Sequence, residues 1–278
     1  MDSYAAKDSR IKAIHKENGG VTSARLRGIE AATGNWIGFC DGDDFVEPDM
    51  YARLMANAVQ HNAAISHCGY KMMFPNGKID YYYNTGKLVV QAGKQGCTDL
   101  LEGSFVEPGL VNKIYRRELF AGLNDWLDAS IRINEDLLMN FYLFRQAEMA
   151  VFEDFCPYHY ILRHGSASYR QFNEHSLFDP IRARQHILKH CEPEMEQDVR
   201  QALMRNILFA YGQMALNLDR QYDGYRARAR KLLMEQKTHF HLLSIRNKVL
   251  AHMICIAPWT FHVAYGVYVK LFQKEEQH

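Results

Sequence analysis

The sequence predicts an α/β protein: a mixed sheet flanked by helices, followed by a helical C-terminal region. Three observations predict it. The run Trp36-Ile37-Gly38-Phe39 does not alternate apolar with polar, as expected of a strand buried on both faces, and it ends abruptly in Asp41, Asp43 and Asp44. Helical and strand patterns then alternate as far as about residue 175. After Leu177 strand signals are few, and the runs 180–190, 193–217 and 226–243 read as helices. A boundary near 175 therefore separates an α/β domain, 1–175, from a helical region, 176–278.

Each element has a local reason. Residues 2–7 read as the end of a helix and 10–15 as a short strand carried by Ile11 and Ile14. Asn18-Gly19-Gly20 is a turn of residues that tolerate positive φ, and a helix over 21–32 follows, stopped at Gly34. After the acidic loop, Pro48 suits the first position of a helix that runs to Gln60 and buries Met50, Leu54 and Ala58. A strand over 65–70 leads into a hairpin over 71–83, turned at Pro75-Asn76-Gly77. A helical turn over 98–102, a strand over 110–114 and a short helix over 116–120 come next. Asn134 caps a helix in which Leu137, Phe141 and Phe144 share a face. A strand over 148–155 and an aromatic, polar segment over 158–168 complete the domain.

The totals narrow the function classes. A chain of 278 residues, 47% hydrophobic and 23% charged, is a globular protein of one large or two ordinary domains. A net charge of +1 gives no global field to draw nucleic acid. Six cysteines with no C-x-x-C and no metal-ligand spacing fit a reducing compartment, and the polar N-terminus is unlike a signal peptide. Residues 249–269 carry no formal charge and are long enough to span a bilayer. His252, Pro258, His262 and Gly266 argue instead for a helical hairpin broken at Pro258, packed on the protein or lying on a membrane surface. Arg226, Arg228, Arg230 and Lys231 make a basic face beside it, equally a lipid contact or a solvated face.

The acidic loop lies past the carboxyl end of a strand, where ligands bind in open α/β sheets. Carboxylates this close repel unless a cation or donors compensate, and a divalent ion bridging to phosphates would do so. An acidic turn before a helix has equal weight on local sequence. Alone, Arg25 reads as a solvated helix residue, and Glu135 and Asp136 as complements to a helix dipole.

Taken together these segments resemble family 2 glycosyltransferases, the bacterial type that builds capsular and exopolysaccharides. Asn18 to Arg25 with Gly28 is similar to the family's N-G-G-V-S-x-A-R-N-x-G turn and helix. Ala31-Ala32-Thr33-Gly34, Phe39 to Asp44 and Glu47-Pro48-Asp49-Met50 resemble its A-T-G, F-x-D-x-D-D and E-P-D-M block. Asn112 to Leu119 is similar to N-K-L-Y-R-R-E-L, Asn134 to Asn140 to G-E-D-x-x-x-N, and Tyr158 to Ser168 to Y-x-Y-R-x-R-x-G-S-x-S. The matches come in the family's order over residues 2 to 175. Leu26 and Ile161 depart from it, standing where an asparagine and an arginine are usual.

The resemblance implies a GT-A-like fold, truncated at its N-terminus, because the strand-helix-strand with which the family opens is absent. It implies inverting sugar transfer from a nucleotide sugar, a UDP-sugar by expectation, to a saccharide or lipid-linked saccharide in cell-surface polysaccharide synthesis. Asp43 and Asp41 would hold Mn²⁺ or Mg²⁺; Arg25, Asp41 and Asp43 would bind the donor. Asp136 would be the general base, with Glu135, Arg163 and His159 toward the acceptor and Ser166 on the same closing segment. Asp44 would complete the metal shell or cap the next helix. The work would be done in the cytoplasm, at the inner face of the cell membrane. The alternative is a non-catalytic remnant that binds saccharide or a partner enzyme.

Overall fold

The computed structural model describes residues 1–163, 173–215 and 220–264; Ser166, Asn217 and Gly266 lie outside them. Seven strands form one sheet: β1 (Trp36–Gly38), β2 (Phe45–Val46), β3 (Ile65–Met73), β4 (Ile79–Tyr82), β5 (Leu88–Ala92), β6 (Lys113–Arg116) and β7 (Met149–Ile161). Their order is β1-β6-β3-β7-β2, with β4 on β3 and β5 on β7. β3 and β7 run parallel and the other pairings are antiparallel, so the sheet is mixed, as expected. The β3–β7 register shifts between Cys68 and Tyr70. Gly69 sits at that bulge, where a Cβ would come within 2.7 Å of both the Cys156 thiol and the Tyr82 carbonyl.

The helices are α1 (Asp2–Ala5), α2 (Gly20–Ala31), α3 (Met50–Gln60), α4 (Gln95–Glu102), α5 (Leu123–Trp126), α6 (Glu135–Gln146), α7 (Glu174–His190), α8 (Glu196–Ala215), α9 (Asp223–Glu235) and α10 (Ile245–Ile256). α3 covers one sheet face with the predicted stripe Met50, Leu54 and Ala58, packed near Cys68, Ile114 and Tyr158. α4 and α6 cover the other, around Ile65, Tyr115, Phe141 and Phe144. Ala183 and Ile187 of α7 and Val199 of α8 belong to this same core. A second core, around Phe178, Ile207, Tyr211 and Ile254, joins α7, α8, α9 and α10.

Several expectations needed correction. Residues 10–19 form no strand, having no neighbouring strand to pair with. β1 is an edge strand, paired among the described residues with β6 alone, and its residues are intermediate, buried and exposed in turn rather than buried on both faces. α2 ends in extended backbone at Ala32, so Gly34 is no left-handed cap. Pro48 precedes α3 by a turn, and Asp49 holds its N-cap position. The strand expected over 110–114 begins at Lys113, because residues 111–112 turn into it. The last strand runs on to Ile161, through the aromatic segment.

The basic residues of α9 do not make a free face. Arg230 donates to the Ile254 and Cys255 carbonyls at the end of α10, at 3.1 and 2.6 Å. Arg228 pairs with Glu174 at 3.0 Å and lies over the Phe178 ring, and Arg226 pairs with Asp223 at 2.6 Å. Three of the four cations thus tie the helical region together.

Packing between α4 and α6 is close enough to predict a large local effect. A Cβ at Gly96 would collide with the ring of Phe144, which is 1% exposed and cannot move aside. Gly96→Val is expected to cost about 1–3 kcal/mol, read as a lower urea midpoint at unchanged slope.

Candidate active site

Three elements distant in sequence converge beyond the end of β1. Arg25 lies on α2, Asp41 follows β1, and Glu135 and Asp136 open α6. All four line one cavity of about 540 Å³, together with Glu107, Asn112, Arg132, Tyr70, Met72 and Tyr160. A larger depression of about 760 Å³ lies beside β1, around Trp36, Arg116 and Phe120, and holds none of these four.

Arg25 bridges the carboxylates. Its Nη1 donates to Glu135 Oε1 at 3.0 Å, and its Nη2 lies 3.9 Å from Asp41 Oδ1. The Arg25–Glu135 pair is mostly shielded from water, with side chains 15% and 11% exposed, so its attraction is less screened than that of a surface ion pair. Arg25 is thus no solvated helix residue.

The acidic loop is strapped to β7. Tyr158 donates from its hydroxyl to Asp44 Oδ2 at 2.5 Å and accepts from the Asp41 N–H at 3.2 Å. The Ile161 N–H donates to the other Asp44 oxygen at 2.9 Å. Asp44 therefore spends its carboxylate on the loop's own geometry and does not cap α3. Arg163 donates to the carbonyl of Asp43, at 3.1 Å, and the Asp43 side chain is exposed. His159 points elsewhere, bonded to Glu47 at 2.8 Å with its ring on Phe45. Asp43, His159 and Arg163 do not line the cavity.

Asn134 does not cap α6 as expected. It occupies the N-cap position at φ 68°, ψ 23°, with no side-chain cap bond. Asparagine tolerates this left-handed conformation better than most residues. Its carboxamide oxygen accepts instead from Arg184 Nη1, at 3.2 Å. One step back, Asp179 is fully buried and accepts from the backbone N–H groups of Arg132 at 2.9 Å and Ile133 at 3.3 Å. It also holds Arg182 at 2.7 Å and His175 at 2.9 Å. α7 therefore grips the three residues that precede the Glu135-Asp136 pair.

Electrostatics single out Asp136. Burial, then the charges of Glu135 and Glu107, push its carboxyl up to about 7. Burial also raises Glu135 and Asp41, while Arg25 pulls both down. A carboxyl poised near neutrality beside two others that Arg25 keeps closer to the ordinary range is an arrangement for proton transfer.

Sequence reading missed Glu107, Tyr70, Asp179 and Arg184, and gave Tyr160 no role beyond its place in the Tyr158 to Ser168 segment. Asn112 carried a signal, since it opens the Asn112 to Leu119 segment. Glu107 carried none, because it reaches the cavity from an irregular loop.

A divalent ion suits the acidic loop only in part from the protein side. Among the described residues no group of three or more His, Cys, Asp or Glu side chains gathers as a metal site. Asp41 and Asp43 stay accessible while Asp44 is engaged by donors. One or two carboxylates with the remaining shell from phosphates and water is how Mg²⁺ is held in nucleotide sites, so the donor set fits an ion that arrives with substrate.

Comparison with known proteins gives the chain's likenesses in sequence and fold. Residues 1–121 match the family model Glycosyl transferase family 2. The chain is 36% identical over 153 residues to "Uncharacterized glycosyltransferase EpsJ" of Bacillus subtilis, covering 53% of this chain and 43% of that protein. It is 26% identical over 215 residues to "Glycosyltransferase GlyA" of Streptococcus pneumoniae, covering 74% of this chain and 30% of that one. The chain thus spans less than half the length of either relative. S. aureus TarS 1-349 in complex with UDP superposes with a TM-score of 0.63 at 16% identity, covering 91% of this chain and 72% of that one, a likeness of fold. Residues 1–121 are thus similar to glycosyltransferase family 2, and the fold is similar to that of TarS.

Proposed function

We propose that the cavity transfers a sugar, with inversion, from a nucleotide sugar to a saccharide or lipid-linked saccharide acceptor in cell-surface polysaccharide synthesis. The observation that carries the reading is Arg25 set between Asp41 and Glu135, with Asp136 raised toward neutrality in the same cavity. A uridine nucleotide is the donor of choice, since two TarS structures of similar fold are complexes with UDP and with UDP-GlcNAc.

At the donor end, Arg25 contacts the nucleotide or its phosphates, and Asp41 holds the ribose or a metal-bound water. Asp43 and Asp41 would hold Mn²⁺ or Mg²⁺, which would supply positive charge to offset that of the departing diphosphate. At the acceptor end, Tyr70 and Tyr160 offer aromatic faces to a sugar ring and Glu135 holds its hydroxyls. Asp136 takes the proton from the attacking hydroxyl as its oxygen bonds to the anomeric carbon. The bond from that carbon to the diphosphate breaks on the opposite side, and its electron pair leaves with the diphosphate. Arg163 and His159 stand outside the cavity, Arg163 bonded to the Asp43 carbonyl and His159 to Glu47. The enzyme works in the cytoplasm, as a peripheral protein at the membrane that carries its acceptor; among the described residues no helix is long and apolar enough to cross one.

A second reading, a non-catalytic domain that binds saccharide or a partner enzyme, draws on the outer edge of β1, which no described strand pairs. Calorimetry separates the two. Titrating UDP with Mn²⁺ present is expected to give saturable binding that Asp43→Ala weakens by about tenfold or more. No heat with or without Mn²⁺ favours the second reading.

A further inference from the structure

We infer that α10 and the helical residues 258–264 form an amphipathic ridge that docks on an anionic lipid surface. This gives the proposed peripheral location a physical contact, and its basis is separate from the sugar chemistry.

The ridge is a row of large side chains left outside both cores. Ile245 is 83% exposed, Val249 53%, Ile256 74%, Trp259 69% and Val263 61%. The spacing is helical. At 3.6 residues per turn, positions 245, 249, 252 and 256 fall within about 60° of arc, while Ala251, Ile254 and Cys255 are buried on the side facing α8 and α9. Beyond the helix break at Ala257, Trp259 and Val263 make a second exposed pair at i, i+4. A row of this size on a globular protein marks a contact surface.

Charge selects the occupant. From Gln236 to Lys274 the sequence holds no Asp or Glu, while Lys237, Arg246, Lys248, Lys270 and Lys274 are cationic. Lys248 and Arg246 fall on opposite flanks of the apolar arc, where long cationic side chains reach lipid headgroups while their stems cover apolar surface. Trp259 is the residue type favoured at the headgroup boundary. Apolar stripe, tryptophan, flanking cations and no acid together describe a helix that lies in a bilayer interface. A protein partner of mixed charge would have no acidic counterpart here.

Flotation of the full chain with vesicles tests it, with no need for transferase activity. Binding to phosphatidylcholine vesicles holding a third phosphatidylglycerol is expected to exceed binding to pure phosphatidylcholine by about tenfold, and to weaken in high salt. The pair Ile256→Ser with Trp259→Ser is expected to lower binding by about tenfold or more, and Arg246→Glu with Lys248→Glu by a similar factor. In the unaltered chain, tryptophan emission should be quenched by lipids brominated on the acyl chains, Trp259 being exposed and Trp126 buried. Equal binding to neutral and anionic vesicles, no quenching, or unchanged binding by both double variants overturns the inference. So does a vesicle-inert dimer in sedimentation that the serine pair dissociates, since a second copy would then own the ridge.

Discussion

Asp136→Asn is expected to lower kcat for sugar transfer by about a thousandfold while leaving donor binding within about threefold. Asparagine keeps the size of the side chain and can keep the bond from the Leu137 N–H, which Asp136 Oδ1 accepts at 2.8 Å. What it loses is the basic oxygen. Because burial and the Glu135 charge raise the Asp136 carboxyl to about 7, kcat/KM of the unaltered enzyme should climb as pH rises through that value and then level off. The same shift has a stability consequence of definite sign. A carboxyl whose folded pKa lies above its unfolded value gives stability that is full below the unfolded value and lost as pH rises through the folded one. Asp136→Asn should therefore be more stable than the parent at pH 8, by an amount of order 1 kcal/mol, and gain little at pH 4. Thermal melts at the two pH values check this, and a variant that is inactive yet more stable is the signature of a functional residue held at a cost. If kcat holds within tenfold, Asp136 is not the base.

Asp179→Ala is expected to destabilise the chain by about 3 kcal/mol and to lower kcat as well, although Asp179 does not line the cavity. The variant removes from a fully buried place the acceptor of two backbone N–H groups and of His175, and leaves the Arg182 guanidinium with Glu174 alone. Burial alone would raise the Asp179 carboxyl, but its donors Arg132, Arg182 and His175 outweigh it and hold the carboxyl low. A depressed carboxyl gives stability present above the ordinary aspartate value and lost as pH falls through the folded one. The penalty of the variant should thus shrink in acid. In urea unfolding the midpoint falls. In kinetics at a temperature where the variant is folded, kcat falls more than donor KM rises, because the loop over 132–134 sets the aim of Glu135 and Asp136 rather than the grip on nucleotide. A variant that loses stability but keeps kcat would make Asp179 structural only.

Much of this was legible beforehand, and particular residues show where legibility stopped. Met50, Leu54 and Ala58 announced α3 because a 3.6-residue period is a local property, and Pro75-Asn76-Gly77 announced the β3–β4 turn for the same reason. β2 escaped notice because two residues carry no period, and its pairing with β7 is decided by a segment over 100 residues away, with Phe45 opposite His159. The edge position of β1 depends on its neighbours, which no property of Trp36 to Gly38 reveals. In the site, Arg25, Asp41, Glu135 and Asp136 were singled out in advance, and the structure brings them to one cavity. Asp179 and Arg184 were not, since a buried acid and a buried arginine on a helix look in sequence like any amphipathic surface. Asp44 was credited with metal or capping duties because its partner Tyr158 lies 114 residues on.

That distance bears on how the site comes into being. The strap from the acidic loop to β7 joins residues 114 to 117 apart, and the Arg25 bridge spans 110. Closing loops of this length is slow, so such contacts form late in folding. As the chain leaves the ribosome, the Asp41 loop emerges long before the strand that shapes it. A nascent chain halted short of Tyr158 would contain the acidic loop, Arg25 and Asp136 yet have no strap to order them, and competence for binding should appear in one step once β7 has docked.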